Sequence, residues 1–147
     1  MNLMKQIICA LLLISFIGVP LALAASATTD AKITDYQFAS GDWYRQNGIG
    51  GNCAKITNTG YVPCTFWVQL SVEDPYGNWY YGDARPVYLQ PGETSDWVCS
   101  IWDVPINAPL GWYTAEFDLG EAYNSNSGVV YNLDDSQQQP NAFYIAG

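Results

Sequence analysis

Cys64-Thr65-Phe66-Trp67-Val68-Gln69-Leu70-Ser71-Val72-Glu73 is the stretch on which the fold turns. Phe66, Val68, Leu70 and Val72 share one side of an extended chain, and Trp67, Gln69, Ser71 and Glu73 share the other. Strict alternation of this length predicts a β-strand with one face in a core and one in water. Turn chemistry brackets it, with Asn58-Thr59-Gly60 before and Asp74-Pro75-Tyr76-Gly77-Asn78 after.

The same signature recurs on both sides. Upstream, strands are predicted over residues 32–38 and 53–58, where Ala54 and Ile56 alternate with Lys55 and Thr57. Gly48-Ile49-Gly50-Gly51 has no helix behind it, so it reads as a flexible loop and not as a phosphate cradle. Downstream, strands are predicted over 79–81, 86–89, 94–104 and 111–119, the last placing Tyr113, Ala115, Phe117 and Leu119 on one face. Trp43, Tyr44, Tyr80 and Tyr81 read as loop-packing aromatics, with joining an outward aromatic surface as the alternative. Residues 121–140, rich in Asn, Ser, Asp and Gln, read as a long loop with at most a short strand at 129–133. A final strand at 142–146 turns Phe143 and Ile145 inward. Short β-branched and aromatic segments, punctuated about every ten residues by Gly, Pro, Asn and Asp, predict an all-β, two-sheet antiparallel sandwich of about seven or eight strands.

Residues 1–24 read as a cleavable secretory signal peptide. Lys5 charges the start, an apolar run extends from Ile7 to Val19, and Ala22-Leu23-Ala24-Ala25-Ser26 supplies small residues for cleavage. The run falls short of the roughly 20 residues that span a bilayer, and Cys9 goes with the discarded segment. Cleavage after Ala24 leaves residues 25–147 as one domain, secreted or held at the cell surface, with no membrane insertion. Losing Lys5 takes the formal charge from −9 to −10, with fourteen acids set against Lys32, Arg45, Lys55 and Arg85. No basic patch remains to neutralise phosphates, which makes nucleic acid and anionic lipid poor candidate partners. The acidity suits solubility, a saline setting or contacts with cations.

Four segments carry a family likeness: ITNTG (56–60), VQLSVEDPYGN (68–78), VYLQPGET (87–94) and WDVPINAPLGWYTAEF (102–117). In these the chain resembles secreted immunoglobulin-like and fibronectin-type-III-like modules, the group that includes the cell-adhesion-related domain of bacteria and archaea. The resemblance implies an immunoglobulin-like sandwich with an extracellular interaction or spacer role. It also implies a tyrosine corner at Gly111-Trp112-Tyr113. A single such module behind its own leader points to a stand-alone binder or an assembly subunit. Export favours disulfides, and Cys53, Cys64 and Cys99 make an odd number. A Cys64–Cys99 bridge would mimic the inter-sheet disulfide of immunoglobulin domains and leave Cys53 free or intermolecular. The pairings that use Cys53 stay open.

Histidine is absent, which removes the usual catalytic triads and the commonest zinc sites. Catalysis would rest on carboxylates, and glycoside cleavage needs two of them flanking a cleft that a small sandwich face does not offer. The expectation is therefore a binding module and not an enzyme, with no cofactor required. Asp118, Asp134 and Asp135 are weak candidates for contacts with calcium, an ion that takes several oxygen ligands. If the strands holding Trp67, Trp112 and Tyr144 are neighbours, as in immunoglobulin-like sandwiches, the three rings form an outward row. Gln69, Glu116 and Asp118 would form its polar rim. Such a row suits a hot-spot interface with a protein or cell-envelope component. The alternatives are plain structural burial of the rings under a loop or a second copy of the chain, self-association as a surface-layer or filament subunit, and carbohydrate binding.

Overall fold

The computed structural model describes residues 29–147; the expected signal peptide, its cleavage point at Ala24 and Cys9 lie outside the described residues. Eight strands follow one another: β1 (Ala31–Gln37), β2 (Asp42–Tyr44), β3 (Gly48–Asn58), β4 (Cys64–Glu73), β5 (Trp79–Leu89), β6 (Val98–Asp103), β7 (Gly111–Asn124) and β8 (Val129–Ala146). They form a three-stranded sheet in the order β1-β3-β6 and a five-stranded sheet in the order β2-β8-β7-β4-β5. Pairing is antiparallel except at one edge, where β2 runs parallel to β8.

The alternation read at 64–73 is what closes the two sheets together. Phe66, Val68, Leu70 and Val72 are at most 1% exposed, as are Tyr113, Ala115, Phe117, Leu119, Phe143 and Ile145. Against them the three-stranded sheet sets Ile33, Ala54, Ile56 and Trp102. Trp102 joins the layers, its ring 5.5 Å from Tyr113 and 6.0 Å from both Phe143 and Tyr80. The expected tyrosine corner forms: the buried Tyr113 hydroxyl donates to the Pro109 carbonyl at 2.9 Å.

Several expectations are corrected. Gly48–Gly51 is not a loop but the start of β3, paired with β6 across a bulge between Ile49 and Asn52. Trp43 and Tyr44 lie on β2. The segments at 79–81 and 86–89 are one strand, bulged opposite Gln69 and Ser71. The strand expected at 94–104 shortens to β6, with Thr94 making an isolated bridge to Thr57.

The largest difference is residues 121–140, which are a hairpin and not a loop. Its arms carry no single core-facing stripe, so the period-two signal is missing although the backbone pairing is complete.

The disulfide is also corrected. Cys53 pairs with Cys99, not Cys64 with Cys99, and Cys53 is neither free nor intermolecular. Ser100 and Trp102 of β6 turn into the core, so Cys99 faces outward, directly opposite Cys53 on the adjacent β3. Cys64 is buried on the core side of the other sheet, where Cys99 cannot reach it.

Candidate functional site

The outer face of the five-stranded sheet was expected to carry a row of rings. Strand register breaks that row. Trp67 opposes Gly120 on β7, whereas Trp112 opposes Tyr144 on β8. Eight residues of strand separate positions 112 and 120, which is about 26 Å at the usual rise. Trp112 and Tyr144 do meet, edge to face at 5.4 Å, and Trp112 is 52% exposed. Trp67 belongs to the far end, half-buried and stacked on Tyr123 at 5.1 Å.

What covers Trp67 is the chain's own hairpin. The register slips between Leu119 and Gly120, where β7 parts from β4, and the tip at 124–128 returns over the outer side of β4. Only glycine permits this at 120, because a Cβ there would lie 2.6 Å from the Tyr131 carbonyl oxygen. Gln69, fully buried, fastens the tip down. Its Nε2 donates to the carbonyls of Gly82 on β5 and Gly128 in the hairpin turn, at 2.7 and 2.6 Å. Its Oε1 accepts the Val130 N–H at 2.9 Å. Gln69 is therefore a clamp and not part of a polar rim.

Between the clamp and Trp112 the outer face holds an acidic centre. Glu116 and Asp118, two apart on β7, share this face, and each finds a partner on β8. Gln138 Nε2 donates to Glu116 Oε2 at 3.0 Å, and the Ser136 hydroxyl donates to Asp118 Oδ1. Burial, then the charge and hydrogen bond of Asp118, pushes the Glu116 carboxyl up to about 7, with Glu73 adding to the shift and Gln138 opposing it. Across β4, Ser71 opposes Glu116. Ser71 is 1% exposed and its hydroxyl has no hydrogen-bond partner. On β5, Tyr81 opposes Ser71 and Trp79 opposes Glu73, so a second pair of rings borders the acids on the side away from Trp112. Ser71 and Trp79 escaped the sequence reading as site residues, and Tyr81 entered it only as the alternative to loop packing. Ser71 was visible in the alternation, but its rings on β5 depend on a bulge no pattern announces.

The expected metal candidates are not brought together. Asp135 Oδ2 accepts the Ile33 N–H at 2.9 Å and ties β1 to β8, while Asp118 sits with Ser136 on the outer face. Among the described residues no three or more acids or cysteines are grouped to hold a metal ion. An opening of about 310 Å³ lies elsewhere, between the end of β1 and β8, lined by Tyr36, Phe38, Ser40, Gln139 and Asn141 without a charged group.

Neither a family model nor a curated relative matches the chain. Among solved structures it is similar to β-glucosidase from Listeria innocua in complex with glucose, with a TM-score of 0.50 and 11% identity over 83% of this chain. It is also similar to a β-glucosidase from Erythrobacter marinus, with a TM-score of 0.47 and 13% identity over 82% of this chain. The chain spans 16% of the length of each of those enzymes. At these identities the first of the two likenesses is one of fold alone, and the fold is an immunoglobulin-like β-sandwich.

Proposed function

We propose that the chain is an extracellular, non-catalytic immunoglobulin-like module that binds a protein of the cell envelope through the outer face of its five-stranded sheet. The observation that carries this reading is the uncovered half of that face. The hairpin seals one end, and the rest presents exposed Trp112 and Tyr81 around the half-buried Glu116. Aromatic side chains around a desolvated polar centre are the composition of an interface hot spot. The Cys53–Cys99 disulfide supports an oxidising compartment.

Non-catalysis is supported by the carboxyl geometry. Glu116 and Asp118 stand two apart on one strand, side by side on an open sheet face, whereas glycosidases set their two carboxyls on either side of the scissile bond. The alternatives have less support. Trp112 and Tyr144 meet at 73° and offer no flat platform for a sugar ring. The edge strand β5 carries Asp83, Arg85, Pro86 and a bulge, the devices that block strand-to-strand assembly.

The test is capture of partners from envelope material by the mature chain, in parallel with Trp112→Ala, Trp67→Ala and Ile101→Ala. Ile101 is an exposed control on the three-stranded sheet. Loss of the captured protein with Trp112→Ala alone is expected. Capture unaffected by Trp112→Ala refutes the reading.

A further inference from the structure

The acidic centre is crowded with negative charge that no cation among the described residues neutralises. Four elements face Glu116. β7 contributes Asp118 and Thr114, β4 contributes Glu73 and Ser71, β8 contributes Gln138 and Ser136, and β5 contributes Tyr81 and Trp79. The basic side chains of the described residues lie elsewhere. Lys32 and Lys55 belong to the three-stranded sheet, Lys55 resting 5.0 Å over the Trp97 ring. Arg45 Nε donates to the Ala108 carbonyl at 2.8 Å. Arg85 opposes Val68, a core-facing position, and so leaves the outer face. Beside this pair sits the buried Ser71 hydroxyl with its hydrogen-bonding capacity unused, a costly arrangement inside a protein unless something else takes it up.

We propose that Glu116, Asp118 and Ser71 form a seat for the ammonium or guanidinium group of a Lys or Arg side chain in a basic segment of the partner protein. This rests on the reading of the outer face as the contact surface. A cationic head supplies N–H donors to both carboxylates and to the Ser71 oxygen, and charge-assisted bonds of this kind are the strong ones. The bordering rings of Tyr81 and Trp79 on one side and Trp112 on the other favour a cation over an anion or a neutral group. A chain of formal charge −9 also draws a basic partner to itself before contact. Seating a cation returns Glu116 to its ionised form, so binding releases a proton below neutral pH. The carboxylate form required for contact is more populated as pH rises, so affinity climbs between pH 6 and pH 8.

The test uses a capped hexalysine peptide and its fully Nε-acetylated counterpart, titrated calorimetrically into the disulfide-intact mature chain at low salt in two buffers of different ionisation enthalpy. Lysine binding is expected at pH 8, several-fold weaker at pH 6, with proton release at pH 6.5. Glu116→Gln should weaken it about 10-fold and abolish both the proton release and the pH dependence. Ser71→Ala, a smaller change less prone to disturb the fold, should weaken it about 3-fold. Asp103→Asn, which removes the same charge from the three-stranded sheet, should change it less than 2-fold. The proposal is overturned if the acetylated peptide binds equally well, if Glu116→Gln costs no more than Asp103→Asn, or if calcium chloride alone displaces the peptide at equal ionic strength. Should the peptide fail while Trp112→Ala still abolishes envelope capture, the contact surface stands and the cation seat falls. Failure of both removes the surface itself.

Discussion

Replacing Gln69 by Leu asks whether the hairpin over Trp67 is held by one side chain. Leucine keeps most of the volume and deletes all three hydrogen bonds. Val130 is 4% exposed, so its N–H loses its partner in a buried setting, a cost of about 1–3 kcal/mol. The carbonyls of Gly82 and Gly128 belong to half-exposed residues and can recover water, so each loses the net value of one bond, about 0.5–1.5 kcal/mol. The sum is about 2–6 kcal/mol, a large share of the 5–15 kcal/mol typical of a domain. If the tip lifts from the sheet instead of straining, the cost is smaller and the Trp67–Tyr123 stack opens. Two readouts separate these outcomes. Urea denaturation should show a lower midpoint at similar slope, and amide exchange at Tyr123 and Val130 should accelerate. A stability change under about 0.5 kcal/mol with unchanged exchange in the hairpin would refute the clamp.

Other outcomes follow from the same structure. The Cys53–Cys99 bridge closes a sequence separation of 46 residues, so the chain-entropy estimate gives a loss of about 4 kcal/mol for the Cys53→Ser, Cys99→Ser double variant in urea. Glu116, held at about 7 in the fold against an ordinary 4.5, keeps its proton where the unfolded chain has lost it. Its contribution is intact below about pH 4.5 and declines as pH rises towards 7, so wild type should lose stability relative to Glu116→Gln across that window. Asp74 works the other way. Burial would raise its carboxyl, but hydrogen bonds from Asn78, Tyr76 and Tyr80 outweigh it and hold the group below its usual 3.8. Its contribution is present above that value and lost as pH falls through the folded one, so Asp74→Ala should flatten the acid limb of a denaturation profile.

How much was legible in the chain follows from what each signal depends on. Phe66 to Val72 and Tyr113 to Leu119 announced themselves because each strand buries one side only, whereas the tyrosine corner was expected only from the family resemblance. Residues 121–140 did not, since a hairpin that leaves the sandwich has no single face to keep apolar. The burial of Gln69 was illegible for the same reason. It is polar, it alternates like a solvent residue, and only the bend at Gly120 brings a cover to it. The disulfide turned on parity. Trp102 already marked the inward side of β6, which puts Cys99 outward and away from Cys64. Glu116 and Asp118 were readable as a same-face pair, but the separation of Trp67 from Trp112 required the register of β4 against β7.

Hydroxyl-radical footprinting of the chain, alone and with its captured envelope partner, tests the contact surface most directly. Trp112 and Tyr81 should become protected while Ile101 and Trp97, exposed on the side of the three-stranded sheet, react as before. Protection at Ile101 and Trp97 with Trp112 unchanged would place the partner on the opposite sheet and contradict the assignment.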